Sequence, residues 1–204
     1  MASCSKILPL FKAVTRAKEE GVDFVIVAVH WGLEYHLDEN VHQRRLAETM
    51  FYAGADIVLG THPHVIQPFE HKKMVDVSGE EKDKYIIYSQ GNFISGQRTY
   101  PRAIGMYINF DFKKTGIEEA VVNMVSVMPT YVEAEYRNGQ RFMRILDVHQ
   151  AQVDNLNKTL DINDYLLNDL KNYEEMFVAH IASKVDMTPY LNDMNEYVIY
   201  KREN

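Results

Sequence analysis

Two short apolar runs, each ending in histidine, constrain this chain more than any other feature. Phe24-Val25-Ile26-Val27-Ala28-Val29 runs into His30, and Asp56-Ile57-Val58-Leu59-Gly60 runs into Thr61-His62-Pro63-His64. Continuous apolar stretches of this length, rich in β-branched residues, suit strands buried on both faces, as in a parallel sheet. Each run follows a helical pattern. Ile7, Leu8, Phe11, Val14 and Ala17 recur at helical spacing over residues 5–20, with Ser5 or Ser3 available as cap, Pro9 tolerable in the first turn and Gly21 as stop. Leu46, Ala47, Met50 and Phe51 mark a second helix over Val41–Ala53, stopped by Gly54. Helix–strand–loop–helix–strand implies α/β packing with right-handed crossovers. Both histidine groups then lie just past the carboxyl ends of neighbouring strands, where open α/β sheets place their ligands.

The second half changes character. Val65–Glu70 reads as a short strand, His71–Lys84 as a charged turn region, and Tyr85–Ser89 as a strand ending in Gln90-Gly91-Asn92-Phe93. Ala103–Phe112 alternates, Lys113–Gly116 suits a hairpin turn, and Ala120–Val127 pairs back. Tyr131–Tyr136 and Arg141–Leu146 form a further hairpin around Asn138-Gly139. From Leu156 the pattern is helical, with Tyr165, Leu166, Leu170 and Tyr173 on one side, then Phe177 and Ile181, until Pro189. The organisation expected is a main α/β unit over residues 1–150 and a helical extension over 151–204 packing on it.

Composition removes several function classes. The formal net charge of −7 disfavours a nucleic-acid partner, because phosphate binding needs a basic face. The single cysteine, Cys4, allows no intramolecular disulfide, and no apolar run has the length of a membrane span or a signal-peptide core. No glycine-rich loop opens a helix after a strand, and no Gly-x-Ser-x-Gly elbow is present. Nucleotide-binding fingerprints and a serine nucleophile are therefore not indicated.

The chemistry-bearing residues cluster in three motifs: His30-Trp31-Gly32-Leu33-Glu34-Tyr35, Gly60-Thr61-His62-Pro63-His64-Val65 and Ser89-Gln90-Gly91-Asn92-Phe93. In an extended loop, residues two apart point the same way, so His62 and His64 can approach one charge centre, with Pro63 stiffening the spacer. Imidazole nitrogens bind first-row transition metals, and His30 is a further candidate ligand. Glu34 offers a carboxylate as ligand or proton acceptor, although alone it reads as a solvated loop residue. Asn92 reads most simply as a turn residue, and with Glu34 it is carried as a candidate catalytic residue. Trp31 and Tyr35 read as packing residues. His36, His42, His71, His149 and His180 read as surface or structural.

Asp23–Tyr35, Gly54–Glu70 and Ile87–Phe93 together resemble the C-terminal motifs of the CapA family of bacterial capsule, or poly-γ-glutamate, synthesis proteins, which is similar to calcineurin-like metallophosphatases. The family pattern runs His-Trp-Gly-x-Glu-Tyr, then Gly-x-His-Pro-His-Val-x-Gln, then Tyr-Ser-Leu-Gly-Asn-Phe. Gln90 stands where the family usually has Leu. The resemblance spans roughly residues 7–113. It implies the C-terminal part of a four-layer α-β-β-α metallophosphatase-like sandwich and a divalent metal centre of Mn, Fe or Zn. His30 and His62 would share one metal, and His64 would bind its neighbour. The implied function is capsular polymer synthesis by a metal-dependent hydrolase acting on a phosphoester or a polyglutamate amide. A non-catalytic scaffold or accessory subunit for polymer synthesis or export is the alternative.

The family's N-terminal Gly-Asp, Asp and Asn-His elements have no counterpart before His30. The expectation is therefore an incomplete ligand set and an open sheet edge. These would be completed by a second copy or by a companion chain carrying the front half, with the capsular polymer or its precursor as ligand. The family is usually membrane-anchored and extracytoplasmic, whereas this sequence, lacking an anchor, reads as soluble.

Overall fold

The computed structural model describes residues 4–97, 99–114, 116 and 120–203. Ser3 and Thr115, parts of the expected first cap and the Lys113–Gly116 turn, lie outside them. The first sheet has the order β1-β2-β4-β3, built from β1 (Ile26–His30), β2 (Ile57–Thr61), β3 (Ile66–Val75) and β4 (Glu81–Gln90). β1, β2 and β4 run parallel, and β3 returns antiparallel on β4. The second sheet is antiparallel. It contains β5 (Ile104–Lys113), β6 (Val121–Arg137), β7 (Gln140–Asp147), β8 (Tyr190–Leu191) and β9 (Tyr197–Lys201). The chain is thus a mixed α/β fold.

Alternation along the strands divides the core. Ile57, Tyr85 and Ile87 face the second sheet and meet Met106, Val125, Val127 and Ile199. Val58, Ile86 and Tyr88 face the other way, against Val14 of α1 (Cys4–Glu19) and Ala47, Met50 and Phe51 of α2 (Val41–Tyr52). α2 starts with a capping box, in which the Asn40 side chain accepts from the Gln43 N–H and the Gln43 side chain accepts from the Asn40 N–H. α1 starts one residue before the expected cap Ser5, so Pro9 falls beyond the first turn and forfeits the helical bond to the Ser5 carbonyl.

Several expectations change. β1 is an edge strand, so its apolar run is buried on one face only. Val25 and Val27 face the helices, while Ile26 is 51% exposed because the second sheet does not extend over it. The expected charged turn region is mostly strand. β3 and β4 continue to Val75 and from Glu81, leaving a turn only around Asp76–Glu80, where Gly79 has φ +82°. Cross-strand polar pairs permit this, among them His71 Nε2 to Asp83 Oδ1 at 2.8 Å.

The two strands expected around residues 120–136 are one, β6, despite Pro129. On its far flank β6 pairs with β9 at Met124–Val127 and with β7 at Thr130–Arg137. Pro129 faces the gap between them, so its missing N–H costs no ladder bond. The β6–β7 turn is at Asn138-Gly139, both at positive φ, as expected of a tight hairpin.

The tail is helical only in part. α3 (Val148–Leu156) begins earlier than expected, and α4 (Asp164–Ile181) buries Leu166, Leu170, Phe177 and Ile181. Tyr165 points to solvent at 80% exposure. Beyond Pro189, inside the span expected to be a helical extension, the chain forms β8 and β9. β9 inserts beside β6, and its Ile199 is fully buried in the core between the sheets.

Gly60 is required by a close approach. A Cβ there would lie 2.0 Å from the Tyr88 carbonyl oxygen and 2.5 Å from Trp31 Nε1. These two groups are hydrogen-bonded to each other at 2.8 Å. Gly60→Ala should therefore destabilise the fold by about 3 kcal/mol, read as a lowered urea midpoint with an unchanged m-value. A midpoint equal to wild type would show that the strand ends can part without cost.

Candidate metal centre

The parallel register sets His30 opposite Thr61, one residue before His62. The rings of His30 and His62 lie 4.4 Å apart, and those of His62 and His64 6.1 Å apart. The loop carrying the latter two is not extended. His62 has φ +104°, His64 +59° and Tyr35 +67°, so three non-glycine residues occupy the left-handed region within one small site. Each such residue costs on the order of 1–3 kcal/mol and persists only where its surroundings over-determine it. Here the Tyr35 N–H donates to the Pro63 carbonyl at 2.7 Å, and the Trp31 N–H to the Thr61 carbonyl at 3.1 Å. The two histidine-bearing loops hold each other.

One ligand atom each from Glu34, His62 and His64 lies within 4.8 Å of the others, a set able to hold a metal ion. The two imidazoles are half-buried and Glu34 is exposed. His30 is exposed and stands beside this group instead of within it. Two imidazoles and a carboxylate suit a divalent first-row transition metal, and three protein donors with an open side are the usual arrangement of a catalytic site.

Asn92 is 7% exposed, and its side chain is spent on the protein. Its Nδ2 donates to the Arg102 carbonyl at 2.8 Å and the His64 carbonyl at 3.3 Å. That fixes the amide orientation and turns Oδ1 toward His64 Nδ1, 2.9 Å away. His64 therefore carries its proton on Nδ1 and presents Nε2 as the free donor, by inference from this network. These bonds make Asn92 a positioning residue acting through His64.

Trp31 is a packing residue, as expected, buried beside Tyr88. Tyr35 is not. It is 46% exposed and lies 6.2 Å from the His64 ring. Two glutamines that sequence reasoning passed over hold the first loop. Buried Gln43 donates to Gln67 at 2.8 Å, and Gln67 donates to the carbonyls of His36 and Asp38 at 2.8 and 3.0 Å. The signal was present, because Gln67 closes the Gly-x-His-Pro-His-Val-x-Gln pattern. His180 and Lys184 anchor the same loop from the end of α4, on the Leu37 carbonyl and on Glu39.

Residues 9–97 match the family model of the bacterial capsule synthesis protein PGA_cap. Glu34, His62, His64 and Asn92 all lie in that span, over which the chain is similar to CapA-type capsule-biosynthesis proteins. The PGA biosynthesis protein CapA of Bacillus subtilis (strain 168) is 35% identical over 114 residues, covering 56% of this chain and 27% of that protein. The capsule biosynthesis protein CapA of Bacillus anthracis is 38% identical over 104 residues, covering 48% of this chain and 23% of that protein. The chain thus spans about a quarter of the length of these relatives. Among the described residues, no helix is long and apolar enough to cross a membrane.

Proposed function

We propose that this chain supplies part of a metal-dependent hydrolase centre, of metallophosphatase type, to the synthesis of a capsular polymer. The observation that carries this reading is the convergence of Glu34, His62 and His64 on a strained, mutually braced pair of loops. Strain of that kind concentrates at functional sites. A divalent metal bound there would supply Lewis acidity toward an oxygen-bearing substrate. The chain's own residues do the rest. Asn92 orients His64, the loop contacts set the His62–His64 spacing, and Glu34 adds the carboxylate that completes the donor set.

The partner expected is a second copy or a companion segment. β1 and β5 are both edge strands, and the contact of Phe24 with Phe112, ring centroids 4.6 Å apart, brings them to one flank. Exposed Ile26, Tyr107 and Phe112 line that flank. The scaffold reading is favoured instead by the exposure of Glu34, since a donor carboxylate left in solvent makes a weak site.

The test is elemental analysis of the purified chain after Mn²⁺ loading, with hydrolysis of an aryl phosphate and of a γ-glutamyl oligomer. One equivalent of metal with turnover of either substrate is expected. Metal without turnover supports the scaffold, and neither metal nor turnover overturns the site.

A further inference from the structure

Arg102 lies just beyond residues 9–97, the span that the family model matches, yet it is tied to the metal centre twice. Its carbonyl accepts from Asn92, the residue that orients His64. Its guanidinium lies over the Tyr35 ring, 5.0 Å from the centroid, and that ring is 6.2 Å from the ring of His64. Among the described residues, the guanidinium's one hydrogen bond is to Thr99 Oγ1 at 2.5 Å, and it has no carboxylate within ion-pair distance. This contrasts with Arg44, Arg137, Arg144 and Arg202, each paired with a Glu or Asp.

The charge balance points the same way. The candidate ligand set holds one carboxylate, Glu34, beside the imidazoles of His62 and His64. A divalent cation would leave that corner positive, in a chain whose net charge is −7. A guanidinium fixed on an aromatic face keeps most of its forked donors free, the geometry that recognises phosphate or carboxylate in bidentate fashion.

We propose that Arg102, held on Tyr35, is the substrate-binding residue for an oxyanion group of the ligand, a phosphate or a carboxylate, at the rim of the metal centre. The inference rests on the metal-centre reading for its location but not for its readout. The two anions are distinguished by separate titrations of inorganic phosphate and of a γ-linked glutamate tripeptide, followed by calorimetry at low ionic strength with and without Mn²⁺. Arg102→Gln should weaken the preferred anion about tenfold, because a charge-assisted bidentate contact is lost. Arg102→Lys should recover part of that loss, and Tyr35→Leu should lose part of it. Arg102→Gln should bind Mn²⁺ as wild type does, with the same circular dichroism and urea midpoint.

Arg102-dependent anion binding without Mn²⁺ uptake by the wild type would sustain this proposal and overturn the metal reading. Mn²⁺ uptake with anion affinity indifferent to Arg102, or no anion binding by the wild type, would overturn this proposal and leave the metal reading intact. An equal loss of Mn²⁺ and anion affinity in Arg102→Gln would also overturn it, since the side chain would then act only by holding the loop.

Discussion

His62→Ala is expected to lower Mn²⁺ affinity by more than about 100-fold, the upper end of what loss of a supporting residue alone costs a metal site. The variant would keep only Glu34 and His64 of the three convergent donors. Two protein ligands rarely hold a transition metal against water. His30→Ala is expected to cost much less, because His30 touches the His62 ring but stands outside the donor set. The two variants therefore rank the ligands by geometry. Equal losses would place His30 in the metal's own shell and sink the assignment made from the loop.

His62→Gly sharpens the test. At φ +104° glycine is unstrained, so this variant should be more stable than wild type by about 1 kcal/mol while binding no metal. Opposite movements of the urea midpoint and the metal stoichiometry would show that the strain at His62 is maintained for the site. A falling midpoint would mean that the imidazole itself holds the loops together.

Lys84→Met is expected to cost about 3–5 kcal/mol, the usual consequence of removing one member of a buried ion pair. The Lys84 side chain is fully buried and lies 3.3 Å from Asp56 Oδ1 and 3.5 Å from Asp76 Oδ2. Asp56 also accepts from the Val25 N–H at 2.8 Å and pairs with Lys18 at 2.7 Å. The cluster thus joins α1, the entry to β1, the start of β2 and the β3–β4 turn. In the variant Asp56 keeps Lys18, whereas Asp76 keeps the Ser78 contacts of the turn and the more distant charge of Lys82. Urea unfolding within about 1 kcal/mol of wild type would show that the cluster is solvated and does not pin the sheet.

Acid should expose the same weakness. Burial acts to raise the Asp76 carboxyl, but the Ser78 hydroxyl and N–H together with Lys84 outweigh it and hold the group below the ordinary carboxylate range. A depressed folded-state value contributes stability above the unfolded pKa of about 4, and that stability is lost as pH falls through the lowered value. Without Lys84 one of the lowering causes disappears, so the acid-unfolding midpoint of Lys84→Met should move to higher pH.

The residues of the centre were legible because each sits in a short, ordered motif. Two apolar runs ending in His30 and in Thr61-His62 place their histidines side by side once the strands pair in parallel, and parallel register follows from the helix between them. Asn138-Gly139 specified its own hairpin, since both residues adopt positive φ at little cost. The roles within the centre were less legible. A His-x-His pair carries no mark of the left-handed backbone at both histidines, which is braced by the hydrogen bond between the Tyr35 and Pro63 main chains. Asn92 and Tyr35 read as turn and packing residues because their partners, Arg102 and His64, are distant in sequence.

By itself the sequence determined the α/β class, the two histidine-bearing strand ends and the CapA-type motifs, all properties of local pattern and spacing. Only the tertiary structure decided that β1 lies at an edge, that β9 completes the second sheet, and that Lys84 is buried between two aspartates. It also decided that Glu34 joins His62 and His64 while Arg102, among the described residues, has no carboxylate partner. The physical reason is the same throughout. Periodicity reports which face of an element is apolar, but burial, charge pairing and ligand convergence depend on which other elements arrive at that face, and these come from far along the chain.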